Sequence, residues 1–154
     1  MAAEADRRAR LIVCAVDGSN ADANVVEVAT QLAILADARL ALVAVAPART
    51  GNAGELARLT WTLEEALSAL ELTARTLDGR VGVDCYVDAG NPVRRLVEFA
   101  TLTRALLLVV GTNARARGHP PSIVAGRLIR AAPCPVVVVS ETTPVPAIAR
   151  LNGA

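Results

Sequence analysis

At 154 residues and 53% hydrophobic content, the chain has the length and apolar mass for one domain around one well-covered core. Its 16 basic and 15 acidic residues nearly cancel, so no strong field draws it toward nucleic acid or an anionic membrane. Every basic residue is an arginine, which excludes Schiff-base chemistry and a Walker-type phosphate loop, since both need a lysine.

The opening MAAEADRRAR carries acids, and the first apolar run, Leu11 to Val16, stops at Asp17 after six residues. That is too short for a signal-peptide core or a membrane span, so a cytoplasmic protein without membrane contact is expected. Residues 1–9 read as an N-terminal extension, 10–141 as the domain and 142–154, with Pro144 and Pro146, as a C-terminal tail without clear pattern. Phe99, Trp61 and Tyr86 are the only aromatics, so the core is aliphatic, as suits helices laid on a parallel sheet. Cys14, Cys85 and Cys134 each sit in or beside an apolar run and read as small hydrophobes in a reducing compartment, with neither CxxC spacing nor a second histidine for a metal.

Four runs are apolar on successive residues: Leu11 to Val16, Leu40 to Val45, Leu106 to Gly111 and Val136 to Ser140. Strands buried on both faces look like this. A fifth, Val81 to Val87, alternates and predicts an edge strand. Between the first two runs, Ser19 caps a helix to Ala36 with Val25, Val28, Ala29, Leu32 and Leu35 on its stripe. Before the alternating run, Leu56, Leu59, Leu63, Ala66, Leu70, Thr73 and Leu77 recur at spacings of three and four, which predicts a long crossover helix rather than a coiled-coil seam because strands bracket it. Asn91-Pro92 starts the next helix, with Val93, Leu96, Val97 and Ala100 on one face. Pro120-Pro121-Ser122 introduces a shorter one with Val124, Leu128 and Ala131 aligned.

Strand and helix thus alternate through five strands, which calls for right-handed crossovers and an open five-stranded parallel α/β sheet with helices on both faces. Ligands of such sheets bind outside the carboxyl ends of the strands, where the strand order reverses. The loops to read are Asp17 to Asn20, Ala46-Pro47, Asp88 to Asn91 and Gly111 to Ser122.

The blocks LIVCAVDGS, LALVAVAP, VDAGNPVRRLVEFA, LLLVVGTNARARG and RLIRAAPCPVVVV resemble, in order, those of universal stress proteins. The resemblance covers residues 10 to 140. It implies a Rossmann-like, adenine nucleotide alpha-hydrolase-like fold with strand order 3-2-1-4-5, a homodimer through Val136 to Val139, and in some members ATP at the fourth loop. Carried over onto the matching blocks, the ligand-binding positions are Asp17, Gly18, Ser19, Val45, Gly111, Thr112, Ser122 and Ile123, to which the residues of the fourth loop themselves add Arg115 and Arg117 as charges for a phosphate. No catalytic residue is implied, and the protein is expected to be non-enzymatic.

ATP-binding members carry Gly-x2-Gly-x9-Gly-Ser/Thr in the fourth loop. Here Gly111 matches the first glycine, Ala114 replaces the second, Ser122 and Ile123 stand where Gly-Ser/Thr is required, and the loop is two residues shorter. Ala114 adds a Cβ where backbone approaches phosphate, and Ile123 removes a hydroxyl. The expectation is a stress-response or signalling protein with a degenerate nucleotide loop that does not bind ATP in the usual way. The alternative is a working ATP, AMP or cyclic AMP binder that uses Arg115 and Arg117, beside His119, in place of glycine geometry. For Asp17 and Gly18, turn chemistry and helix capping need no ligand. An ATP pyrophosphatase would need Ser-Gly-Gly-x-Asp-Ser after the first strand, and a phosphorelay receiver a lysine after the last; neither is present.

Overall fold

A computed structural model describes residue 2 and residues 10–18, 22–46, 62–112 and 123–140. In chain order the elements are β1 (Leu11–Val16), α1 (Asp22–Ala36), β2 (Arg39–Ala46), α2 (Leu63–Thr76), β3 (Val83–Ala89), α3 (Pro92–Thr103), β4 (Leu107–Gly111), α4 (Ile123–Ala131) and β5 (Val136–Val139). The strands form one sheet in the order β3-β2-β1-β4-β5, every pair parallel, as expected.

The unbroken apolar runs are explained by the two cores. Successive strand residues point to opposite faces. Ile12, Cys14, Leu40 and Leu42 therefore pack beneath α1 and α2, and Val13, Ala41, Val43 and Leu108 beneath α3 and α4. Ile12, Leu40, Leu42 and Leu108 are fully buried, each contributing about 1.5–3 kcal/mol of apolar transfer. The last turn of the sheet extends past β4, where the Thr112 N–H donates to the Val139 carbonyl at 3.1 Å.

Four local expectations are revised. First, α2 starts at Leu63, not near Leu56. Thr62 is extended (φ −70°, ψ 156°), its hydroxyl accepts the Glu65 N–H at 3.1 Å, and the Glu65 carboxylate accepts the Thr62 N–H at 2.9 Å. This reciprocal capping box satisfies two orphan donors and fixes the first turn there. Leu56 and Leu59 lie outside the described residues. Second, β3 runs two residues later than expected, because its register with β2 sets Val83 opposite Leu40 and Ala89 opposite Ala46. It is the edge strand the alternation implied. Third, the buried arc of α1 is centred on Val26, Ala29 and Ala33, so Leu32 lies at its boundary and Leu35 is 62% exposed. Fourth, α4 buries Ala125 and Leu128 with Ala132 packed below, leaving Ala131 exposed.

The cap at α3 is as expected. The Asn91 side chain accepts the Arg94 N–H at 3.1 Å, and Pro92 occupies the first turn, where its missing N–H costs nothing. Just before it Gly90 has φ +132°, a backbone that side-chain-bearing residues rarely adopt. Its N–H donates to Ala46 at 2.8 Å, tying the end of β3 to the end of β2 beside the candidate site.

Candidate functional site

A cavity of about 110 Å³ opens at the carboxyl ends of β1, β2 and β4. This is the point where the strand order reverses, since β1 pairs with β2 on one side and with β4 on the other. It is smaller than the roughly 300–1,000 Å³ of pockets that enclose a whole drug-sized ligand, and suits one ring system of a larger molecule.

Of the positions singled out in the sequence, Asp17, Val45 and Gly111 line this cavity together. They come from three strand ends far apart in sequence, and only the parallel sheet brings them together. Apart from Asp22 at the start of α1, the remaining walls are apolar, with Val43 from β2, Pro92 and Leu96 from α3, Val110 from β4, and Val124 and Leu128 from α4.

Three positions have other roles. Gly18 does not line the cavity; its φ of +81° makes the turn, and its N–H donates to the Asp22 carboxylate at 2.7 Å. Thr112 is held by its backbone in the β4–β5 ladder. Ile123 opens α4 with a side chain 42% exposed, and the neighbouring Val124 faces the cavity instead. Ser19, Arg115, Arg117 and Ser122, with Ala114 and His119, lie outside the described residues.

Sequence reasoning missed Asp22. It is the first residue of α1, and its two carboxylate oxygens accept the Asp17 N–H at 3.2 Å and the Gly18 N–H at 2.7 Å. An acidic residue in the first turn of a helix following Asp-Gly-Ser was the available signal. Asp22 also lines the cavity and is within side-chain hydrogen-bonding reach of Asp17. Burial, reinforced by the Asp17 carboxyl, pushes the Asp22 carboxyl up to about 7, although the two backbone N–H donors pull the other way. Cys14, one strand layer below, is fully buried, and burial together with the charge of Asp22 raises its thiol far above the ordinary range.

The arrangement offers an apolar slot for a flat ring, a backbone turn at its rim, and paired carboxyls that accept hydrogen bonds from hydroxyl or amino groups. Among the described residues no group of three His, Cys, Asp or Glu side chains lies close enough to hold a metal ion. No helix among them is long and apolar enough to cross a membrane.

Known proteins match this chain in sequence profile and in fold. A universal stress protein in complex with cAMP superposes with a TM-score of 0.67 at 22% identity, covering 86% of this chain and 98% of its own. A universal stress family protein from Burkholderia pseudomallei gives 0.63 at 28% identity, covering 84% and 94%. A family protein from Arabidopsis thaliana with AMP bound gives 0.62 at 16% identity, covering 87% and 93%. No curated protein matches the chain significantly in sequence. The sequence profile of the universal stress protein family matches residues 9–140, nearly the whole chain, and with the five-stranded 3-2-1-4-5 sheet it follows that this protein belongs to the universal stress protein family.

Proposed function

We propose that the protein is a non-enzymatic stress-response or signalling protein of the cytoplasm that binds an adenine mononucleotide at the switch-point cavity. The observation that carries this reading is the convergence of Asp17, Val45 and Gly111 on one apolar slot. Adenine stacks between Val43, Val45 and Val124, and the ribose hydroxyls donate to Asp17. In sequence, Arg115 and Arg117 follow Thr112, and their guanidinium charge suits a phosphate where the usual glycines are missing. The structural relatives bound to cAMP and to AMP support a mononucleotide, and the departures at Ala114, Ser122 and Ile123 speak against the usual ATP loop.

Calorimetric titration with AMP, cyclic AMP and ATP tests this reading. The two mononucleotides should bind at least as tightly as ATP. No heat and no thermal shift at millimolar ligand would remove the proposal, because even weak binding to the folded state stabilises it.

The same reading makes the protein a homodimer through β5. That strand is a sheet edge of four valines with Val138 exposed, an arrangement that invites pairing with a second copy. Val138→Arg should turn a dimer into a monomer in light scattering; a wild-type monomer at micromolar concentration refutes the dimer. The near-neutral charge favours a protein partner over nucleic acid for any further assembly.

A further inference from the structure

The candidate cavity is unusual in its charges. From β2, α3, β4 and α4 the described lining residues bring no ionisable group. From β1 and the start of α1 come two carboxyls, Asp17 and Asp22, and beneath them the Cys14 thiol, which burial keeps protonated. Two carboxyls in contact beside apolar walls cannot both ionise cheaply. Asp22 cannot simply turn away, since its oxygens hold the N–H groups of Asp17 and Gly18 at 3.2 and 2.7 Å and thereby shape the turn at the rim.

We propose that the Asp17–Asp22 carboxyl pair is a proton-linked gate on this cavity: an anionic adenine nucleotide is admitted while the pair shares one proton, and its binding weakens when that proton leaves. This rests on the nucleotide reading above and adds the regulation of the same site. With the shared proton the pair carries one negative charge and still accepts from ribose hydroxyls. After its loss the pair carries two, facing a ligand that is itself negative. Binding above the transition therefore takes up a proton from solvent, and affinity falls as pH rises. Burial of Asp22 and the charge of Asp17 set that transition close to neutral pH, where modest acidification inside a cell would act on it.

The test is calorimetric titration of the full chain with cyclic AMP at pH 5.5, 7 and 8.5, in two buffers of different ionisation enthalpy, with AMP as a second probe. Cyclic AMP keeps a single charge over this range, so its own titration adds nothing. The expected result is binding roughly tenfold weaker at pH 8.5 than at 5.5, from one extra unit charge near the ligand, with net proton uptake on binding at pH 8.5. Asp17→Asn and Asp22→Asn should each flatten the pH dependence, whatever they do to the affinity itself. Constant wild-type affinity across the range overturns the gate and leaves the nucleotide reading standing. A slope that persists in both variants overturns it as well, by assigning the proton elsewhere. No heat with either nucleotide at any pH overturns the nucleotide reading and the gate with it.

Discussion

At the amino ends of β2 and β3, Arg39 grips Asp84 through Nε at 3.1 Å and through its terminal nitrogen at 2.9 and 3.0 Å. At the carboxyl ends, a short distance past β1, Asp17 and Asp22 meet carboxyl to carboxyl with no described cation lining the same cavity. The first arrangement is opposite charges across adjacent strands on a half-exposed rim, worth little but free of conflict. The second brings like charges together in a slot walled by valines, leucine and proline. Structure alone does not require that, and polar groups kept in electrostatic conflict are a mark of binding sites.

The comparison can be broken in several ways. The largest expected effect is at Asp22→Ala, which removes the carboxylate that accepts the Asp17 and Gly18 N–H groups and should cost about 1–2 kcal/mol in urea unfolding at pH 5. At pH 8 the cost should shrink, because the substitution also removes the like-charge contact. Equal costs at the two pH values would show that the carboxyls do not repel.

The wild-type pH profile comes next. Asp22 is raised from 3.8 to about 7, so the folded chain holds a proton that the unfolded chain has already released between those values. This group's contribution to stability is complete below about 4 and is lost as pH rises to about 7. Thermal unfolding followed from pH 4 to 8 should therefore decline more steeply in wild type than in Asp17→Asn, where the neighbouring charge is absent.

At the other end of the sheet, Arg39→Ala should cost about 0.5–1 kcal/mol, and less in high salt. The smallest effect is expected at Glu27→Gln on the α1 face. The Arg80 guanidinium donates to Glu27 at 2.8 and 3.1 Å and lowers its carboxyl. That contribution is present above the usual carboxylate range and is lost as pH falls through the lowered value, so Glu27→Gln should cost a few tenths of a kcal/mol at pH 7 and progressively less in acid.

Much of this was legible in the residues. Leu11 to Val16 and Leu40 to Val45 announce strands covered on both sides because neither face of them tolerates a polar side chain, and Asn91-Pro92 announces a helix because its cap chemistry is local. The start of α2 was missed although its signal was equally local: Thr62 and Glu65 form a capping box inside an apolar periodicity that runs on through Leu56 and Leu59. Periodicity says which face is apolar, whereas the cap decides where the helix begins. Leu35 and Ala131 were misplaced because a wheel of apolar residues is wider than the arc a sheet can cover, and packing chose which part of it to bury.

The sequence by itself determined the five strands, their parallel pairing and the family, since those follow from hydrophobic runs, chain order and blocks of motif. It also pointed to Asp17, Val45 and Gly111 one at a time. Only the tertiary structure decided that these three share a cavity, that Thr112 is tied into the β4–β5 ladder and Ile123 yields its place to Val124, and that Asp22 sits against Asp17. The reason is distance along the chain: a carboxyl's neighbours, and hence its proton, are set by strand ends and walls contributed from β1 to α4. No local pattern records which of them will meet.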